Sequence, residues 1–185
     1  MTKNWTKLIL LELNDTLLAI DENKMDDLIE ELCKKERKVF VVGVGRVLIS
    51  LKSWVKRLCH MGIDINFVGS ETEKPIQNTD LLIVASSSGE SIFPYQIAKK
   101  AKKYNANIFY IGCTKDSSID QISNNRLILK GHTKLSNVNE YKSIQPMSTL
   151  FEQQLFLLCD IIALEIMHKN SWNEEVVKEK HANLE

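Results

Sequence analysis

Val39-Phe40-Val41-Val42-Gly43-Val44-Gly45-Arg46 is the stretch on which the fold turns. Four apolar residues, three of them β-branched valines, are too few for a helix and show no polar alternation. That is the pattern of a strand buried on both faces, as in a parallel sheet. The two glycines then let the chain turn tightly at the strand's carboxyl end. The same grammar recurs at Leu81-Leu82-Ile83-Val84-Ala85, which runs into Ser86-Ser87-Ser88-Gly89-Glu90-Ser91. Further short apolar runs at 63–68, 108–111 and 127–129 alternate with helix-like segments at 47–61, 92–104 and 117–123. Short strands alternating with helices predict an α/β fold: a five-stranded parallel sheet with helices on both faces.

Helices are also expected outside this alternation. Residues 6–20 place Leu10, Leu13 and Leu17 on one face, and Met25, Leu28, Ile29, Leu32 and Cys33 make a second stripe. The polar stretch 131–140 reads as the only long loop. Pro146 then precedes a long helix over 147–168 that is apolar almost all round. Such a helix should be covered on every side, in part by another subunit. With no linker or repeat in sight, the reading is one domain over 1–185, its core at about 30–168.

Lysine plus arginine and aspartate plus glutamate both number 24. With no global positive field, nucleic acid is not an expected partner. The most apolar stretch, 155–166, is interrupted by Asp160 and Glu165 and is too short to span a bilayer. The N-terminal residues, from Met1-Thr2-Lys3-Asn4-Trp5 onward, carry no signal-peptide pattern. The four cysteines are far apart in sequence and read as reduced, mostly buried thiols of a cytoplasmic protein.

A loop that leaves a parallel strand and opens a helix presents backbone N–H groups and the positive end of the helix dipole, which suits a phosphate. A Rossmann fingerprint is absent, because Leu48 stands where the third glycine belongs, and there is no Walker A Gly-Lys-Ser/Thr. The remaining reading is a phosphorylated small molecule bound between the loops of the first and third strands. Gly45, Arg46, Ser86, Ser87, Ser88, Gly89 and Ser91 are its predicted contacts, including the N–H groups of Ser87 and Gly89. Arg46 would hold a phosphate or a hydroxyl. The alternative is that the glycines only make a turn, Arg46 a surface ion pair, and the serines only cap a helix. Phe40, Trp54, Phe67, Phe93, Phe109 and Phe151 read as core, and Lys52, Lys56 and Arg57 as a solvated face. His60 reads as structural, His132 and His168 as loop and surface residues.

Five ordered blocks carry a resemblance. They are Gly43-Val44-Gly45-Arg46; Lys56-Arg57-Leu58-Cys59-His60-Met61-Gly62; Ser88-Gly89-Glu90-Ser91; Tyr141-Lys142-Ser143-Ile144-Gln145-Pro146-Met147-Ser148-Thr149-Leu150-Phe151-Glu152-Gln153; and His181-Ala182-Asn183-Leu184-Glu185. The chain resembles the sugar isomerase (SIS) superfamily and, within it, the 6-phospho-3-hexuloisomerases. The resemblance implies a three-layer αβα fold and interconversion of 3-hexulose 6-phosphate with fructose 6-phosphate, a step of formaldehyde fixation by the ribulose monophosphate pathway. It implies a tetramer working without metal or organic cofactor. Read alone, Glu152 is a first-turn carboxylate that complements a helix dipole; the resemblance makes it the acid/base that moves the proton. Its neighbours Leu150, Phe151 and Leu155 predict an apolar setting. His181 is either a supporting acid/base, reaching a neighbouring subunit's pocket, or a solvated tail residue. Four positions depart from the family pattern. Val47 and Leu48 replace Ser-Gly, and Ser87 and Ser148 each stand where glycine is usual. Those departures keep two other readings open: a non-catalytic sugar-phosphate-binding module, or an isomerase of another sugar phosphate.

Overall fold

The computed structural model describes residues 4–133, 141–181 and 183–184. Five strands, β1 (Val39–Val42), β2 (Ile65–Phe67), β3 (Leu81–Ala85), β4 (Asn107–Gly112) and β5 (Asn125–Ile128), form one sheet in the order β2-β1-β3-β4-β5. Every pairing is parallel, with Val42 opposite Val84 at the carboxyl edge. The helices are α1 (Trp5–Leu17), α2 (Glu22–Cys33), α3 (Gly45–His60), α4 (Ile92–Lys103), α5 (Ser118–Ile122), α6 (Thr149–Lys169) and α7 (Glu174–Glu179).

The pleat divides the strand residues between two cores. Val39, Val41, Leu81, Ile83, Phe109 and Ile111 face α2, α3 and α6, where Leu28, Leu51, Trp54, Phe151 and Leu155 are buried. Phe40, Val42, Leu82, Val84, Ile108 and Tyr110 face the opposite layer, packed with Ala98 and Ala101 of α4 and Ile119 of α5. The alternation explains the unbroken apolar runs, since each strand residue meets one helical layer or the other.

Several expectations change. α1 turns Leu10 outward and buries Glu12, which meets a hydrogen-bonded loop, and Thr16, whose hydroxyl donates to the Glu12 carbonyl of its own helix. Phe93 is exposed rather than core, and Cys33 and Cys59 are exposed, leaving Cys159 the buried thiol. Burial pushes the Cys159 thiol well above its ordinary range. No disulfide joins any of the four cysteines. A second long irregular segment, 68–80, precedes β3. α6 buries a broad face but leaves Phe156 and Leu164 exposed. Short α7 went unpredicted. No helix among the described residues is long and apolar enough to cross a membrane. Residues 1–3, 134–140 of the predicted loop, and Ala182 and Glu185 of the tail block lie outside the described residues.

Candidate active site

β1 and β3 are neighbours, and the chain leaves them for opposite faces of the sheet, through α3 and α4. In an open parallel sheet a crevice forms where outgoing connections part, outside the carboxyl ends of the strands. The two sequence-predicted loops meet there. The first turn of α6 forms the third wall, giving a cleft of about 520 Å³ lined by Arg46, Ser87, Ser88, Ser91, Ser148 and Glu152, among others. Gly45, Ser86 and Met147 also border it.

Capping separates this region from the rest of the molecule. Asn4, Asp21, Ser117 and Asn173 each accept a backbone N–H at the start of α1, α2, α5 and α7. Val44, Ser91 and Ser148, at the starts of α3, α4 and α6, make no side-chain cap bond. These last three residues all line the cleft. Three helix N-termini with no side-chain acceptor therefore point their positive ends at one space, a setting that favours an anion.

The serine loop is organised internally. Ser86, 3% exposed, accepts the Gly89 N–H on its Oγ at 3.1 Å, and this hydroxyl lies 3.0 Å from Ser91 Oγ. Ser88 Oγ accepts from the Glu90 N–H at 3.2 Å. The Gly89 N–H predicted to grip a phosphate is thus spent within the turn. Gly89 contributes conformation instead: its φ is +66°, and a Cβ there would sit 2.0 Å from Ser117 Oγ. Ser87 carries no positive φ, so serine in place of glycine is unstrained. Glu90 turns to α5, accepting from Ser118 N and Ser118 Oγ, each at 2.7 Å. Gly45, with φ +57°, makes the sharp entry into α3 that sets Arg46 over the cleft.

Glu152 differs most from expectation. Its side chain is 15% exposed, yet the setting is not simply apolar, because Arg46 Nε donates to Glu152 Oε2. A carboxylate this withdrawn from water needs such a partner. Arg46, predicted to hold the ligand, also pairs with the acid through its Nε. Ser50 Oγ adds a bond to the Glu152 backbone carbonyl at 3.3 Å, tying α3 to α6.

His181 is not brought to the cleft. Its ring lies 4.3 Å from that of His60, at the far end of α3 from Arg46. Fourteen residues at ~1.5 Å each put the two ends of that helix roughly 21 Å apart. Among the described residues, no group of three His, Cys, Asp or Glu side chains is placed to hold a metal ion.

Three further residues were not predicted as part of the site. Ser148 stands across the cleft from Ser87, their hydroxyls 3.0 Å apart. Glu12 accepts from the Ile144 N–H at 2.6 Å, Ser143 Oγ at 2.9 Å and Gln145 Nε2 at 3.1 Å, anchoring the segment that enters α6. Tyr110 donates its hydroxyl to the Ser86 carbonyl at 3.0 Å from below the loop. Glu12 interrupts the apolar run of α1 and Ser148 departs from the family pattern, and these were the available signals; Tyr110 had none.

The chain is 33% identical over 184 residues to 3-hexulose-6-phosphate isomerase of Bacillus subtilis, covering 100% of this chain and 99% of the relative. The chain belongs to the 3-hexulose-6-phosphate isomerase family. The family's Methanocaldococcus jannaschii member is 32% identical over 163 residues, with 88% of this chain and 85% of that protein covered. A solved structure from Methanococcus jannaschii, from which a 3-hexulose-6-phosphate isomerase function was inferred, matches with a TM-score of 0.82 and 29% identity. That match covers 97% of this chain and 98% of the other. Solved sugar isomerase domains share the same three-layer fold. No family model matches the chain.

Proposed function

We propose that the protein, as one sugar isomerase domain over residues 1–185, interconverts 3-hexulose 6-phosphate and fructose 6-phosphate, the step of formaldehyde fixation named above. The observation that carries this reading is the convergence of three helix N-termini without side-chain caps on a cleft walled by Glu152. The phosphate lies against the serine loop, held by the helix dipoles and by the hydroxyls of Ser88 and Ser91. The open-chain sugar extends toward Glu152. With the carbonyl at C3, Glu152 takes the proton from C2 while the carbonyl oxygen gains one, giving an enediol. Loss of the C2 hydroxyl proton then makes the new carbonyl, and Glu152 returns its proton to C3. The overall step is redox-neutral, so proton transfer by side chains suffices. Arg46 occupies Oε2 and so orients the carboxylate, leaving Oε1 to move the proton.

Because His181 sits at the far end of α3 in its own subunit, a supporting acid/base role requires a neighbouring subunit's tail. The reading therefore includes a homo-oligomer, a tetramer by family resemblance, in the cytoplasm. Glu152→Gln is the direct test, scored in an assay coupled to fructose 6-phosphate formation. Turnover falls by on the order of 10²–10⁴ or more, while calorimetry still detects fructose 6-phosphate binding. Near-normal turnover in that variant rejects the assignment. A wild-type protein that binds without converting is a binding module instead.

A further inference from the structure

Ser148 is a serine at the start of a 21-residue helix, where its hydroxyl would ordinarily accept a first-turn N–H. It does not. Its backbone (φ −96°, ψ 20°) is not the extended conformation of a capping residue, and its Oγ lies 3.0 Å from Ser87 Oγ. Ser148 is 6% exposed and Ser87 half-buried, so the bond is partly shielded from bulk water. Each serine is also fixed from behind. The Ser87 carbonyl accepts from the Cys113 N–H at 2.9 Å and from Thr114 Oγ1 at 3.3 Å, both just beyond β4. The Ser148 carbonyl accepts from the Glu152 N–H at 3.0 Å, one helical turn on. A continuous path runs from the end of β4 through Ser87 and Ser148 to the residue bearing the acid.

We propose that Ser87 and Ser148 form a cross-cleft positioning pair that holds the start of α6, and with it Glu152, at a set distance from the phosphate-binding serine loop. The proposal rests on the isomerase reading for its kinetic consequence, though not for its effect on binding. It accounts for two departures from the family pattern together: each hydroxymethyl group that replaces a hydrogen finds its partner in the other. Neither serine needs to touch the reacting carbons. A lone serine at either position would put an unpartnered hydroxyl into the cleft, whereas the pair spends both.

The test is a double-mutant cycle with Ser87→Gly, Ser148→Gly and both together, repeated with Ala to keep the backbone restricted. Fructose 6-phosphate affinity is read by calorimetry, with kcat and KM measured alongside and thermal unfolding as a control. A hydrogen bond of ordinary net worth predicts that each single variant weakens binding about 2- to 10-fold. The double variant should be no weaker than either single, because one interaction is lost once. kcat should fall in the same coupled manner, at least about 3-fold, since a small misplacement of a catalytic group slows the chemical step. Multiplying factors in the double variant, or unchanged affinity in both singles, overturns the pair. A shift in unfolding temperature without coupled changes in affinity and kcat also overturns it. A wild-type protein that binds but does not turn over defeats the isomerase reading alone, and coupling in affinity still decides the pair. Absence of any sugar-phosphate binding defeats both.

Discussion

Tyr110 carries a hydroxyl into an otherwise apolar sheet face, fully buried, and donates it to the Ser86 carbonyl at 3.0 Å. Burial pushes the phenol above its ordinary range, so it remains a proton donor across the working pH range. The serine loop therefore rests on a fixed strut rather than on solvent. Tyr110→Phe removes one of that carbonyl's two donors, the Gly89 N–H remaining at 3.2 Å, at a cost of about 0.5–1.5 kcal/mol in denaturant unfolding. It should also raise KM more than it lowers kcat, because phosphate grip depends on the loop; an unchanged KM would remove the strut's functional role. The same scale shows what was readable. The serines and glycines of the cleft announce themselves by type and position after a strand. Tyr110, by contrast, looks like any other aromatic strand residue, since its partner is a carbonyl contributed by a different strand's loop.

At the scale of elements, α1 and α2 each do work that their apolar spacing hides. Glu12 gathers three donors from residues 143–145 and so ties α1 to the approach to Glu152. Glu12→Gln keeps the shape but turns an amide NH₂ toward at least one of those donors. We expect a loss of about 1–3 kcal/mol in stability and roughly tenfold in kcat, through a less ordered approach to α6. Full activity in the coupled assay would show that the anchor is dispensable. In α2, Glu31 meets Lys34, Arg37 and Asn107. Burial pushes its carboxyl up, but the hydrogen bonds from Lys34 and Arg37 outweigh this and leave it below its ordinary 4.5. A depressed folded-state value means stability that is present above pH 4.5 and lost as pH falls through the lower folded value. Glu31→Gln should therefore cost about 1–2 kcal/mol at neutral pH, after discounting for solvent screening. The gap to wild type in urea melts should close on acidification; a gap independent of pH contradicts the ion-pair account.

At the scale of the whole molecule, Leu10 and Leu11 on α1, Ile49 on α3, and Phe156 and Leu164 on α6 are exposed in a single subunit. α1 and α3 both pack on α6, so these side chains lie on neighbouring elements. Apolar surface of this kind is characteristic of a subunit contact. Phe156→Glu with Leu164→Glu should convert the proposed homo-oligomer to monomer in light scattering, while circular dichroism remains that of the folded chain. If the monomer keeps full turnover, His181 has no part to play across the interface. An unchanged particle mass would place the contact elsewhere.

The sequence alone determined the parallel α/β fold and the two loops, because buried strands must read as unbroken apolar runs and sharp strand-to-helix turns demand glycine. It also determined Glu152 as a candidate, through the block in which that residue sits. Tertiary structure alone decided that Arg46 pairs with the acid, that the Gly89 N–H serves its own turn, and that Ser148 faces Ser87. It decided, too, that Glu12 is an anchor and that His181 lies against His60. All but the Gly89 turn are partnerships between groups far apart along the chain. Local periodicity reports how much of an element is buried, but not which polar group waits on the other side.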